Sequence, residues 1–349
     1  MSNKKGVYME KKIKKDNHFV QEYYLKQWKA EHNTNPFVYY KTVSDSNVHI
    51  WSNKKSTKNM CCIKKLYCYA NNDILETTID KELEYKFSKI LRKIVKDKSL
   101  KNISIKELNV IVKYIIFQHI RTVFNMEKAG DFIGKNSQEF LQKFTENFFN
   151  GHKNNLKNLD FSKMCNDKIK YELINESNKQ SYLKITLKNN KCRFIDYLLY
   201  FLNKKNISPL IYKFTLLEVP NNKNFFTSDT PVILLEKQGN NKYNFKGGFY
   251  KNNTLIIFPL HPSLVLIMEK GQHSIEYHKC SDILYKKIQM WTVQNAYNEV
   301  YSNNNLEIPE FIRVTDRKFN NIRKTKNLNY EMDNVVLGDD IIIKINLND

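Results

Sequence analysis

Glycine and proline are scarce in this chain, 9 and 7 in 349 residues. Turn-dense sandwiches and glycine-punctuated repeat arrays use many more of both, and no internal period is found. The six cysteines (Cys61, Cys62, Cys68, Cys165, Cys192, Cys280) include no CxxC pair, and the spacing of the first three matches no common zinc site. A chain of this size needs no disulfide staples, so reduced thiols and a cytoplasmic location are expected. No apolar run approaches the ~20 residues of a membrane-spanning helix. The basic start, MSNKKGVYMEKKIKKDN, lacks the apolar centre of a signal peptide, so no membrane partner is expected. Phosphate-cradling glycine loops are also missing: Gly247–Gly248, the one glycine pair, has no GxGxxG or GK[ST] context. The run SDTPVILLEKQ approaches the Asp…Glu-x-Lys pattern of metal-dependent nucleases but fails it, because Glu236 is followed directly by Lys237 and then Gln238.

What is present is a large apolar inventory. Hydrophobic residues make up 41%, with 21 Tyr and 21 Phe, ample for the core of one large domain or two ordinary ones. The formal charge of +21 points toward a polyanionic partner, nucleic acid foremost, because clustered Lys and Arg displace counterions from phosphates. The lysines are spread along the chain, however, and Lys, Asn, Ile, Tyr and Phe are high together, as A/T-rich codons alone would produce.

Residues 1–15 read as a solvated basic arm. From Asn17 the pattern is helical, with Val20, Tyr23, Tyr24 and Trp28 on one face and Asp16 or Asn17 as cap. Pro36 introduces the strand PFVYYKTV, which HIWS near residue 50 can pair. A helix from about Asn72 to Lys96 buries Leu75, Ile79, Leu83, Phe87 and Ile90. The next, from Ser104 to about Glu127, is apolar nearly all round and belongs in the interior. A fourth amphipathic stretch covers Ser137–Phe149. Residues 150–182 and 303–335 are Asn- and Lys-rich with weak periodicity and read as a polar insert and a connection. Strands are expected at Phe214–Val219, Asn224–Thr227, Val232–Leu235, Thr254–Phe258 and Leu264–Glu269, then a helix over Ile283–Tyr301. The stretch VVLGDDIIIKINL reads as a last hairpin-like pair. The expected fold is α+β: a helical N-terminal half packed on a mostly antiparallel sheet, one domain over 16–302 with an extension over 303–349.

Within this frame several polar residues sit in apolar stretches, where each needs a partner. His18, placed at a helix start, would be held neutral by the macrodipole and suited to accept a proton. Glu76 and Glu84, eight residues apart, share a helix face, where they can bind a divalent cation or pair with Arg121. Gln118 and Arg121 lie on the apolar helix, on a face with Tyr114 and Asn125. That arginine requires either an internal carboxylate or a bound anion. Ser228 and Asp229 form a turn before Thr230–Pro231, where the aspartate either caps backbone or faces the Arg121 site.

These segments, in this order, resemble the bacterial domain-of-unknown-function family 4238. Its opening His-aromatic-Val-Pro-Gln-Phe-Tyr-Leu corresponds to HFVQEYYLKQW, from His18 to Trp28. Its Leu-Glu helix corresponds to Leu75 and Glu76 with Glu82 or Glu84, and its Gln-x-x-Arg-Thr helix to Gln118, Arg121 and Thr122. Its Ser-Asp-Asn-Pro-Val turn corresponds to Ser228–Val232, its Phe-Pro-Leu-x-Pro strand end to Phe258–Pro262, and its late Asn-Ala helix to Asn295 and Ala296. The chain departs at Gln21 and Glu22, where the family has Pro-Gln, and at Val123, where Pro often follows. The resemblance implies that the scattered polar residues converge; it supplies no activity.

Two functions follow as expectations. The first is an RNA phosphodiesterase of toxin or phage-defence type. In it His18 is the base, Glu76 an acid or metal ligand, and Arg121 stabilises phosphoryl charge. Gln118 and Asp229 orient the site, and Tyr24, Ser228 and Glu84 line the substrate. The second is a non-catalytic binding or sensing module for a nucleotide-like anion, with the same residues as a structural network. No zinc or nucleotide-cofactor motif is present, and a divalent cation remains open.

Overall fold

The computed structural model describes residues 16–30, 35–40, 52–64, 66, 74–123, 125, 169–175, 181–187, 208–239, 242–304 and 341–346. The chain begins with strand β1 (Asp16–His18), the short helix α1 (Glu22–Leu25) and a 3-10 turn over Lys26–Trp28. Strands β2 (Phe37–Tyr40), β3 (Ser52–Lys54) and β4 (Cys62–Lys64) follow. Helix α2 (Ile74–Ile79) passes through a π-helical turn over Asp80–Glu84 into α3 (Tyr85–Asp97), and then comes α4 (Ile105–Ile120). Strands β5 (Ile169–Asn175), β6 (Ser181–Leu187), β7 (Tyr212–Glu218), β8 (Thr227–Ser228), β9 (Ile233–Gln238) and β10 (Lys242–Asn244) come next. They are followed by β11 (Thr254–His261), β12 (Leu264–Lys270) and β13 (Ser274–Lys279). Helix α5 (Asp282–Asn295) and strands β14 (Glu299–Ser302) and β15 (Ile341–Asn346) complete the described elements.

The central sheet has the order β10-β9-β11-β12-β7-β13, antiparallel except for the β7–β13 edge pair. Its middle strands are apolar at nearly every position because both faces are covered. Alternation along each strand decides which residue faces which layer. Phe214, Leu216, Leu234, Ile256, Phe258, Leu266 and Met268 pack in one core with α3, α4 and Trp28. Leu217, Ile233, Leu235, Leu255, Ile257, Val265 and Ile267 pack on the opposite side with Ile288 and Trp291 of α5. The fold is therefore α+β, with the N-terminal helices on one face of a mostly antiparallel sheet. Among the described residues no helix is long and apolar enough to cross a membrane.

Helix α4 is fixed at its start by a capping box. Ser104 Oγ accepts the Glu107 N–H while Glu107 Oε2 accepts the Ser104 N–H, satisfying two end donors reciprocally. Its Leu108, Ile111, Val112, Ile115 and Phe117 are all buried, as its all-round apolar character requires.

Several expectations need correction. The first helix begins at Glu22, not Asn17, and lasts four residues, because residues 16–18 pair with β4 instead. The helix expected to reach Glu127 ends at Ile120 with Arg121 as its C-cap. The helix expected over Ile283–Tyr301 stops at Asn295, and Glu299–Ser302 turns into a strand against β2. Residues 169–175, expected within an insert, form β5, and β15 pairs with β6; the other half of the expected last hairpin lies outside the described residues. The stretch Ser137–Phe149 and the arm 1–15 lie outside the described residues.

Candidate functional site

Strand β1 and the residues after it thread between two buried polar clusters, and the backbone of Phe19 joins them. Its N–H donates to Cys61 O at 2.8 Å and its carbonyl accepts from Gln118 Nε2 at 2.8 Å. Both groups would be orphans in this interior without those partners. Cys61 adopts a positive φ of 50°, rare for a side chain with a Cβ.

The first cluster grows from α4. Gln118 Oε1 accepts from Arg121 Nε at 3.2 Å and Nη2 at 2.6 Å, and Arg121 Nη1 donates to Glu84. The Tyr114 hydroxyl donates to Gln21 Oε1 at 3.1 Å and lies 3.4 Å from Gln118 Oε1. Arg121 is 0% exposed and its guanidinium lies over the Phe117 ring, 5.1 Å from the centroid. Glu84, brought round by the π-helical turn, meets this arginine, and Glu76 is half-buried on α2. Asn125, expected on the same face as Gln118, instead caps the end of α4 by donating to His119 O and Thr122 Oγ1.

The second cluster grows from β8 and β14. Asp229 Oδ1 accepts the Tyr297 N–H at 2.8 Å, and Oδ2 accepts those of Asn298 at 2.7 Å and Glu299 at 3.1 Å. Burial, and then the Glu299 carboxylate, raise its pKa to about 6 against those three donors. Lys55 Nζ pairs with Glu299 Oε1 at 2.7 Å, and the Tyr301 hydroxyl donates to Glu299 Oε2 at 2.6 Å. With its proton so committed, Tyr301 can only accept from the Cys61 thiol, 3.1 Å away. Burial and the nearby Asp229 and Glu299 charges push that thiol's pKa well up, so it is a proton donor and not a thiolate. Thr230 Oγ1 is buried without a hydrogen-bond partner among the described residues.

Tyr24 bridges toward the sheet. Its hydroxyl donates to Pro259 O at 2.8 Å and meets Thr227 Oγ1 at 2.5 Å, while its ring stacks on Phe258. Trp28 Nε1 donates to Phe225 O at 3.0 Å beside it. Tyr24 and Ser228, expected to line a substrate, are both fully buried; Ser228 Oγ accepts the Thr230 N–H. This placement suits positioning rather than contact with a ligand.

The accessible part of the arrangement is the rim around His18. His18 lies on β1 opposite Cys62, not at a helix start, so the macrodipole argument for its neutrality does not apply. Its state is governed instead by Nε2, 3.1 Å from Thr57 O. A carbonyl only accepts, so Nε2 is the donor in this contact. Glu22 accepts from Thr57 Oγ1 at 3.4 Å and pairs with Lys26 at 3.1 Å. Burial raises the Glu22 pKa, but Lys26 and His18 together bring it below the usual range.

The structure thus brings Gln118, Arg121 and Glu84 together in one cluster and puts Asp229 in the other, while His18, Tyr24 and Ser228 have partners of their own outside both. Sequence reasoning missed Glu22, Lys26, Lys55, Thr57, Cys61, Glu299 and Tyr301. Glu22 and Lys26 were readable as an i,i+4 pair, and Glu299 as an acid inside the strand-like run NEVYS. Nothing distinguishes Lys55 among so many lysines. Among the described residues no group of three His, Cys, Asp or Glu side chains is disposed to hold a metal ion.

No curated protein and no solved structure matches this chain. Residues 16–305 match the family described as protein of unknown function (DUF4238), a span that takes in both clusters and the whole central sheet. On that match the chain belongs to the DUF4238 family.

Proposed function

We propose that this protein is a phosphodiesterase acting on RNA, in which the accessible rim does the chemistry and the buried clusters hold it in register. The observation that carries this reading is the half-buried imidazole of His18 on the accessible rim, held through Nε2 to Thr57 O, beside the Glu22–Lys26 pair. His18 takes the proton of a ribose 2′-hydroxyl, the 2′-oxygen attacks phosphorus, and the 5′-oxygen leaves with a proton from an acid. Glu22, held ionised, stabilises the imidazolium that forms, and the Lys26 ammonium faces the phosphate. Glu76 on α2 is the candidate acid. Arg121, fully buried and paired with Glu84, acts as a positioning residue through Gln118 and the Phe19 carbonyl. A ribonuclease of this kind suits a toxin or phage-defence effector.

A second reading draws on the inward commitment of Gln118, Arg121 and Asp229, whose hydrogen bonds go to groups within the chain. In that reading the network is structural and the rim binds a nucleotide-like anion without reaction.

The two separate in one assay. End-labelled RNA and DNA oligomers are incubated with the protein, with and without chelator, beside His18→Ala and Glu22→Gln. RNA is expected to be cut and DNA spared, chelator to have no effect, and His18→Ala to lose about 100-fold or more in rate at an unchanged melting temperature. An uncut RNA leaves the binding module as the better account, and a His18→Ala rate equal to wild type removes His18 as the base.

A further inference from the structure

The loop between β10 and β11 carries an aromatic side chain out into solvent on a braced backbone. Tyr250 is 75% exposed and Phe245 38%, in an interval otherwise made of Lys, Gly and Asn with the inward-packed Phe249. Five hydrogen bonds hold it: Gly248 N to Thr254 Oγ1 at 3.0 Å, Lys251 N to Gly248 O at 3.0 Å, Lys251 Nζ to Lys246 O at 2.8 Å, Tyr212 Oη to Phe249 O at 3.2 Å and Lys270 Nζ to Tyr250 O at 2.6 Å. Gly247 lies so close to β9 that a Cβ there would come within 2.7 Å of the Leu234 carbonyl carbon, which pins the loop to the sheet. The exposed ring is therefore presented on a fixed frame, and a ligand stacking on it loses little loop entropy.

Charge surrounds it. Lys237, Lys242, Lys246, Lys251 and Lys270 occupy this edge, against Glu236 and Glu269. The two acids are already paired, Glu236 with Lys251 at 3.1 Å and Glu269 with Lys237 at 3.0 Å. Among the described residues Lys242, Lys246 and Lys270 have no acidic partner, and Lys270 Nζ sits 5.9 Å from the Tyr250 ring centroid. The loop also touches helix α4 beside the first buried cluster: Phe249 meets the ring of His119 edge-on at 5.4 Å, one residue from Gln118.

We infer that this loop is a stacking platform for single-stranded nucleic acid, with an unpaired base on Tyr250, a neighbour toward Phe245, and the backbone phosphates along Lys242, Lys246 and Lys270. A braced, exposed ring within a net-positive surround is what sequence-tolerant single-strand binding requires: a π-face for any base, and cations for the chain between bases. A duplex, whose bases are already stacked, cannot use the ring. The inference rests on the RNA reading above for its choice of polymer.

The test is fluorescence anisotropy with the full chain and a fluorescein-labelled 12-nucleotide 2′-O-methyl uridine strand, which lacks the 2′-hydroxyl needed for cleavage. Tyr250→Ala, a surface change, is expected to weaken binding between about five-fold and about 100-fold, and Tyr250→Trp to restore it. Lys246→Ala is expected to reduce the slope of log affinity against log salt by about 0.7. A 2′-O-methyl duplex of equal length is expected to bind without responding to Tyr250→Ala. Equal affinity of wild type and Tyr250→Ala, equal losses for strand and duplex, or no binding by wild type each overturns the platform. Tyr250-dependent binding by a protein that cuts no RNA keeps the platform and removes the nuclease; RNA cleavage with Tyr250→Ala binding unchanged does the reverse.

Discussion

Asp229 remains in the interior because three consecutive N–H groups, from Tyr297, Asn298 and Glu299, converge on its two oxygens. Its pKa near 6, above the ordinary 3.8, means that the folded state binds a proton more tightly than the unfolded chain. Its contribution to stability therefore grows as pH falls from 6 toward 3.8, by on the order of 3 kcal/mol. His261 works in the opposite sense. Its Nδ1 accepts the Ser263 N–H, and burial lowers its pKa to about 4, so stability is lost as pH falls from 6.5 to 4. The two terms nearly cancel in wild type. Thermal melts from pH 6.5 to 4.5 should show Asp229→Asn losing melting temperature on acidification and His261→Asn gaining it, with wild type nearly flat. Parallel curves for all three proteins would rule out this opposition. The run FFTSDTPV showed that an aspartate would anchor a turn, but its donors lie about 70 residues away and had no local sign.

Helix α4 is the element on which the first cluster depends. Its capping box and all-round apolar character were readable in sequence, since both follow from local spacing. The need of Arg121 for an anion was readable too. That the anion is Glu84 was not, because the preceding helix widens into a π turn over Asp80–Glu84 that no residue pattern announces. Removing one partner should cost far more than removing both. Glu84→Gln takes a carboxylate away from a buried guanidinium and is expected to lower stability by about 3 kcal/mol, whereas the double change Glu84→Gln with Arg121→Met should recover part of that loss. Denaturant unfolding of the two single variants and the double variant measures the coupling. Additive losses would mean that the pair contributes no energy of its own.

At the scale of the whole molecule, one sheet separates two cores, and among the described residues each contains one tryptophan: Trp28 on the helical side and Trp291 on the α5 side. Every central strand contributes to both cores through alternate residues, so neither layer can melt while the other stays packed. Thermal unfolding followed by fluorescence in Trp28→Phe and in Trp291→Phe should give single transitions, each coincident with that variant's own loss of secondary structure by circular dichroism. Two separated midpoints would show independent layers. The central strands β7, β9, β11 and β12 were legible from alternation and β-branched content, whereas β1, β5, β6, β10, β13 and β14 were not. Strand order was not legible, because β8 and β14 join a sheet with β2 and β3 from the other end of the chain, a pairing of high sequence separation. That same closure bears on how the protein is made. Cys61 meets Tyr301, and Phe19 rests on Cys61, so the site begun by the first residues is completed only when the last strand of the family domain arrives. A cluster closed in this order cannot form on a chain stopped before β14, whatever its first strands have already done.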